Sequence, residues 1–504
     1  MMRRTLTERA GVLAGGNALN ILALFFMPLI LTRILSKELF GIYNQATLMG
    51  NILYPIFTAG IAASIYYFHA SLEPARRPTL IAQSIAGFFC LGLVAAALLY
   101  SGSGPIAGLF HNPGASPVLR AYSLYLFFFI AGDVLFPYLV LFDHIRWAVL
   151  AGLLEALLRY PAVLLAVHFG FGLPGIFIGL AALMALKYAL TLGFLTRKVR
   201  WQDLRPRPGL ISAQVRYAAP LGVSNAIGTL GQYANRAVAA GGLTATQYAV
   251  YTVGSIQFPV SSIFNKAIRP ILREEFSRAG SEGRHADIVA VWRESVRKQS
   301  LIVNPLFAFL MLFAGPVIEV LYTSAYLESV PVFRVLLVLL LQTVVSFSII
   351  PESLGRTDIT LRASAISLIV SLGLSLVLIR PLGLLGPAIA IVAATYLNGW
   401  YSMGWVRRLT GVSYRHLFPW QEMGRILGVS MASAAAAYPA LWAPLPLMAR
   451  LGGAGVLFSA VYLFAALRLK LLTHEDRAFL RQVFERLRVP RPLLRILDHA
   501  TQER

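Results

Sequence analysis

The sequence predicts an all-α, polytopic membrane protein of about fourteen transmembrane helices. It arranges them as two six-helix lobes in parallel repeat, with two further helices added at the C-terminal side. Three observations predict this. Apolar stretches long enough to cross a bilayer follow one another along all 504 residues, parted only by short polar breaks. Hydrophobic residues make up 57% and charged residues only 13% of the chain, about half the charged share of a soluble protein, and mean hydropathy is +0.68. A weak internal repeat relates the first six stretches to the next six.

The apolar stretches run over 11–33, 41–68, 80–101, 118–141, 148–169, 173–195, 214–237, 245–265, 299–322, 331–351, 362–380, 383–406, 424–445 and 449–470. Each approaches the roughly 20 apolar residues that a helical span requires. Arg3, Arg4 and Arg9 precede the first stretch as in a signal peptide, but that run is too long and lacks a small-x-small cleavage site. It is expected to stay as a first span.

The net charge of +22 would suggest nucleic acid on a soluble protein, but the placement of the charges points elsewhere. Of 44 Lys and Arg, 34 fall in segments that alternate onto one side of a fourteen-span bundle. This is the positive-inside pattern, with both termini in the cytoplasm and basic faces toward anionic lipids. Nucleic acid is therefore not an expected partner. Cys90, the one cysteine, has no partner for a disulfide. Of the connections, 102–117 is a Gly/Pro/Ser-rich loop, and 266–298 alternates charged and apolar residues as surface amphipathic helices do.

The repeat is seen at an offset of 208. Leu35-Ser36 meets Leu243-Thr244, Phe40 meets Tyr248, Tyr43 meets Tyr251, Asn17 meets Asn225, and Thr47 meets Ser255. Gly172-Leu173-Pro174-Gly175 meets Gly383-Leu384-Leu385-Gly386 at 211. Six spans, an even number, separate the copies, so both have the same orientation about an axis along the membrane normal. The expected domains are lobes at 1–200 and 201–415, two added helices over 416–470, and a basic amphipathic cytoplasmic tail at 471–504. The tail opens with a capping-box-like Thr473 and Asp476.

Ionisable groups inside a membrane are costly and are functional candidates by default. Asp133 lies in span four, Glu155 and Arg159 in span five, Lys187 in span six, and Arg216 and Arg236 in span seven. Glu155 and Arg159, at i and i+4, can act in a site or simply neutralise each other. Arg236 has Asn225, Gln232 and Asn235 beside it, and Asn17 and Asn20 occupy span one. Polar stripes on the first helix of each lobe suggest a hydrated groove, where a guanidinium suits a diphosphate or an acidic sugar. The alternative is that the Asn residues join helices and Arg236 reaches an interface. The candidate substrate-binding residues are thus Arg236, Asn235, Gln232, Asn225, Asn17, Asn20, Lys187 and Arg159. Asp133 and Glu155 are the candidates for ion coupling. There is no nucleotide-binding loop, HExxH or Cys/His cluster, so neither metal nor cofactor is expected, and histidines such as His69, His144, His168 and His416 are scattered.

Residues 31–43, Leu-Thr-Arg-Ile-Leu-Ser-Lys-Glu-Leu-Phe-Gly-Ile-Tyr, resemble the first-loop signature of the bacterial polysaccharide and oligosaccharide flippases. These belong to the multidrug/oligosaccharidyl-lipid/polysaccharide exporter superfamily. Tyr217-Ala218-Ala219-Pro220-Leu221, the stretch from Asn235-Arg236 to Tyr248, Arg269-Pro270 and Gly383-Leu384-Leu385-Gly386-Pro387 are similar to that family in the same order. The resemblance implies two lobes that alternate between inward- and outward-open states in the bacterial inner membrane. They would move a polyprenyl-diphosphate-linked glycan to the periplasmic leaflet, coupled to an ion gradient. It also implies a polysaccharide polymerase and a chain-length regulator as partners. The chain departs in having Asn235 where many relatives carry Asp, and in lacking an arginine in span one before Arg33, as lipid II flippases have. That favours a surface-glycan repeat unit over a peptidoglycan precursor. A drug or cation antiporter would want more carboxylates than these spans hold. A membrane glycan polymerase or ligase would want a larger far-side loop than 102–117.

Overall fold

A computed structural model describes residues 6–197, 207–256, 260–345, 347–473 and 476–478. Among the described residues there are α-helices and short 3₁₀ turns and no β-strand. By its contacts the chain divides into two compact units: Met1–Thr252 with Leu374–Pro387, and Val253–Gly373 with Ala388–Arg504.

The first unit holds α1 (Leu6–Ile34), α2 (Lys37–Ser71), α3 (Arg77–Ser101), α4 (Ser103–Leu109), α5 (Ala115–Gly132), α6 (Leu135–Leu141), α7 (Ile145–His168), α8 (Gly172–Thr196), α9 (Pro208–Gly242) and most of α10 (Ala245–Gly254). After it come α11 (Val260–Ser281), α12 (His285–Leu312), α13 (Ala314–Tyr322), α14 (Val330–Thr343), α15 (Ile349–Ser353), α16 (Thr357–Leu382), α17 (Leu385–Thr410), α18 (Tyr414–Leu417), α19 (Trp420–Ala437) and α20 (Leu447–Arg468). The end of α16 and the start of α17 group with the first unit.

Each predicted apolar stretch lies largely on one of these helices or on two consecutive ones; residues 257–259 and 346 lie outside the described residues. The protein is a multi-pass membrane protein. By length and composition alone, eight described helical segments suffice to cross a membrane. A ninth is added if α12 and α13, bent by 80° where they meet, form one broken span. The predicted count of fourteen is therefore not reached by composition. Span seven shows why: α9 carries Arg216, Asn225, Gln232, Asn235 and Arg236 along its length, and polar groups lower its hydropathy without stopping the helix.

Several starts follow from local chemistry, and they recur at the repeat offset. Ser36 caps α2, its hydroxyl accepting from the Leu39 N–H at 3.2 Å. Thr244, its counterpart, accepts from the Gln247 N–H at 3.2 Å. Downstream, Phe40 stacks on Tyr43 with ring centroids 6.5 Å apart, and Tyr248 stacks on Tyr251 at 6.4 Å. Gly172 and Gly383 both take left-handed backbone, with φ of 63° and 50°. That conformation suits glycine, and here it turns the chain into α8 and toward α17. In the first unit α2 lies close along α9: a Cβ on Gly60 would stand 2.2 Å from the Ala218 carbonyl oxygen. The buried Gln45 amide bonds the Ala240 carbonyl at 3.2 Å.

In the second unit the amphipathic segment 266–298 forms α11 and the start of α12, but its apolar faces do not lie free for a membrane surface. Leu272, Phe276, Ile288, Trp292 and Val296 are buried in one cluster with Ile349, Ile350, Val406 and Phe418. The pattern marks an apolar face, and protein satisfies such a face as well as lipid does. Beyond α20 the capping box is present. Thr473 N–H donates to Asp476 Oδ2 at 2.9 Å, and Asp476 N–H donates to Thr473 Oγ1 at 3.3 Å. Arg297, with its side chain 11% exposed, clamps this turn by bonding Asp476 at 2.8 Å. The rest of the predicted amphipathic tail, 479–504, lies outside the described residues.

Burial alone would raise the Asp476 carboxyl, but hydrogen bonds from Arg297 and Thr473 outweigh it and hold the group below the usual carboxylate value. A depressed native value gives stability that is present above the ordinary carboxylate range and lost as pH falls through the depressed value. Amide protection at 469–473 and 476–478, taken relative to the intrinsic exchange rate at each pH, should therefore stay unchanged from pH 8 down to about 5. Asp476→Asn should lower it at pH 7. Equal exchange in the variant would show that the clamp does not hold this segment.

Candidate functional site

The first unit brings intramembrane charges from three helices to one cavity of 240 Å³, lined by Asn20, Phe129, Asp133, Glu155, Arg159 and Lys187 among others. Asp133 is placed by a break in span four. It sits between α5 and α6, and four residues on, Pro137 has no N–H to bond its carbonyl. The break ends the helix at a carboxylate inside the bilayer, where irregular backbone is tolerated only beside protein or a wet cavity. Tyr54 of α2 donates its hydroxyl to Asp133 Oδ2 at 2.9 Å.

Glu155 is the hub. Its Oε1 accepts from Arg159 one helical turn on at 2.7 Å, and its Oε2 accepts from Lys187 of α8 at 2.8 Å. All three side chains are mostly buried, 14–22% exposed. Aromatic faces complete the neutralisation: the Arg159 guanidinium lies 5.7 Å from the ring centroids of both Tyr125 and Phe129, and Lys187 Nζ lies 6.0 Å from Phe129. Arg159 Nε is buried with no hydrogen-bond partner. With Asp133, Glu155, Arg159 and Lys187 all ionised, the four charges sum to zero. α1 reaches the site because residue 16 is glycine; a Cβ there would stand 2.3 Å from a Val149 methyl of α7. Asn20 then faces Gly152, its Nδ2 being 3.3 Å from where a Cβ would be.

The structure thus joins the two carboxylates named for ion coupling with three of the polar residues named for substrate, Asn20, Arg159 and Lys187. The i, i+4 pair of Glu155 and Arg159 does form, and Lys187 makes it a triad. The span-seven residues do not join this cavity. Asn235 is buried and accepts a 2.5 Å hydrogen bond from Ser375. Arg236 is half-buried over the Tyr233 ring at 5.9 Å. Asn225 and Gln232 are exposed, with the Asn225 amide bonding its own helix at Leu221. The side chain of Asn17 lies outside the described residues. Tyr54, Tyr125 and Phe129 were not marked as site residues by the sequence. An aromatic residue in an apolar span looks like core packing until the charge it touches is known. Among the described residues no three His, Cys, Asp or Glu side chains gather to hold a metal.

Residues 30–331 match the family described as "Polysaccharide biosynthesis protein". The chain belongs to that family. No curated protein sequence matches it significantly. Among solved structures it is similar to a lipid II flippase, MurJ, in an inward closed conformation, with TM-score 0.65 and 12% identity over 91% of this chain and 99% of that one. It is also similar to an inward-facing multidrug resistance MATE family transporter of the MOP superfamily, with TM-score 0.59, 18% identity and coverage of 78% and 96%. It is similar, too, to a MOP superfamily transporter from Pyrococcus furiosus with a binding pocket of reverse polarity, at TM-score 0.52, 15% identity and coverage of 81% and 94%. At these identities the likeness establishes the fold: a polytopic helical bundle of the MurJ and MATE type.

Glu155→Gln removes the carboxylate that pairs with both Arg159 and Lys187, whereas Lys187→Met leaves Glu155 paired with Arg159. Breaking a buried ion pair from one side costs about 3–5 kcal/mol. Glu155→Gln should therefore lower the melting temperature of the detergent-purified protein clearly more than Lys187→Met does. The reverse order would show that Lys187, not Glu155, is the hub.

Proposed function

We propose that this protein is a flippase that carries a polyprenyl-diphosphate-linked oligosaccharide, a surface-polysaccharide repeat unit, from the cytoplasmic to the periplasmic leaflet of a bacterial inner membrane. The observation that carries the reading is the charge-balanced cluster around Glu155 and Asp133, built into a bundle of the polysaccharide biosynthesis family. A cavity of 240 Å³ is smaller than the 300–1,000 Å³ typical of ligand pockets. The cluster therefore suits a proton or a small cation, and the glycan takes another path. Asp133, held by one neutral hydroxyl at a helix break, is the exchangeable carboxylate; Glu155 is committed to two cations. Proton or ion binding at Asp133 would leave a net positive charge inside the membrane, and a two-state bundle can relieve that by moving.

The proposed moving bodies are the lobes 1–200 and 201–415, defined by the repeat rather than by contacts. Arg236, with Asn225 and Gln232 on the same helix, is assigned to the path of the diphosphate and sugar. The basic segments face the cytoplasm and its anionic lipids, with both termini on that side. The step is movement and involves no covalent chemistry. A polymerase and a chain-length regulator would act on the delivered unit. A cation antiporter fits less well, because Glu155 already has two cationic partners and Asp133 is the one other carboxylate in the cavity.

In cells lacking the protein, intact lipid-linked repeat units should accumulate in the cytoplasmic leaflet, as read by mass spectrometry and a periplasmic glycan probe. Wild type should relieve this and Arg236→Ala should not. Relief by Arg236→Ala would remove that residue from the path. Normal arrival of repeat units that then fail to be polymerised or ligated would replace the flippase reading with an enzyme.

A further inference from the structure

We infer that the groove between α2, α3 and α9 is a binding site for the polyprenyl chain of the carrier lipid, with the diphosphate held at its basic end by Arg76 and Arg207; this rests on the flippase reading. The groove lies within the first unit and has a volume of 690 Å³. It is walled almost wholly by apolar and small side chains, and four polar ones, Ser64, Gln83, Ser84 and Gln214, reach it. Three of those four are already engaged: Ser64 donates to its own helix at 2.8 Å, Ser84 accepts from Tyr138 at 3.1 Å, and Gln83 donates to a backbone carbonyl at 3.5 Å.

Three features decide what fills it. Water does not suit so apolar a lining. A transmembrane helix about 10 Å across would need a furrow along a whole span; this one involves only the second half of α2, α3 as far as Leu91 and α9 as far as Ala226. A hydrocarbon chain fits. Gly87 and Gly222 face it with open space: a Cβ on Gly222 would meet nothing within 4 Å, and one on Gly87 only the tip of Ile61 at 4.0 Å. Such notches suit a chain that bears a methyl branch on every isoprene unit better than a straight acyl chain.

The polar end supplies the charge complement. Gln83 of the groove donates to the Arg207 carbonyl at 3.5 Å, which ties the start of α9 to α3. Arg207 caps α9 and Arg76 caps α3, and both side chains are exposed. The starts of α3 and α9 thus lie toward the same end of an apolar furrow, each bearing an exposed guanidinium, that of Arg76 in a solvent-exposed 3.7 Å pair with Glu73. That matches a diphosphate, with two phosphates for two arginines, better than the single phosphodiester of a phospholipid.

The test uses the full-length protein in phosphatidylethanolamine/phosphatidylglycerol nanodiscs and a polyprenyl diphosphate carrying a diazirine in its chain. Illumination should label peptides within 80–91 and 211–226. Gly222→Leu, whose Cβ meets nothing within 4 Å and whose longer side chain enters the groove, should cut that labelling at least about fivefold, as should Arg76→Ala with Arg207→Ala. Cys90→Phe fills it from α3 if the first variant misfolds. Labelling elsewhere that Gly222→Leu leaves unchanged would overturn the groove while the flippase reading stands. Equal labelling by a photoreactive phosphatidylglycerol that the diphosphate does not displace would make it a general lipid site and overturn the proposal. No labelling at any position would remove the groove and the proposed substrate together.

Discussion

Charge inside hydrocarbon must be neutralised, and in the first unit that task falls on Glu155. One carboxylate bridges Arg159 on its own helix and Lys187 on the next, and the rings of Tyr125 and Phe129 shield what remains. The interaction reaches well beyond its own atoms. It ties α7 to α8 and draws the α5 rings into place. It also leaves Asp133 beside a cluster that is balanced only while that second carboxylate stays charged. Replacing the ion pairs with apolar residues would often be no less stable. Their presence in a membrane-spanning bundle is what the proposed coupling role draws on.

The break at Asp133 and the bend at Phe313 show the same economy in each unit. Pro137 ends a helix at the level of a carboxylate, and α12 turns by 80° into α13. Interrupted helices free backbone groups that protein must satisfy, and at Phe313 it does: its N–H bonds the Phe309 carbonyl and its carbonyl the Val317 N–H, both at 2.9 Å. At its other end the second unit is pinned by Arg297 and its capping-box turn and by the Trp292 cluster. The charged segment 266–298 is thus part of the packed structure.

The helical, membrane-spanning architecture was legible because twenty apolar residues in a row have few other fates. The repeat was legible through residues with fixed local duties. Ser36 and Thr244 cap helices in the same way, Phe40–Tyr43 and Tyr248–Tyr251 stack alike, and Gly172 and Gly383 share a backbone conformation that few other residues tolerate. Within the site, the pairing of Glu155 with Arg159 followed from helical spacing. Lys187 and Tyr54 did not, because their contacts join positions 32 and 79 residues apart and depend on how helices rotate about their axes. The same rotation keeps Asn225, Gln232 and Asn235 away from the charged cavity, although their residue types suit it.

The most direct measurement is leaflet exchange by the purified protein alone. Proteoliposomes loaded with a polyprenyl-diphosphate oligosaccharide would be probed with an external glycosidase, with and without an imposed proton or sodium gradient. Exchange should run well above that of protein-free vesicles and faster with the gradient, and in Asp133→Asn it should no longer respond to the gradient. Exchange no faster than in empty vesicles, or a gradient response undiminished in Asp133→Asn, would contradict the coupled-flippase reading.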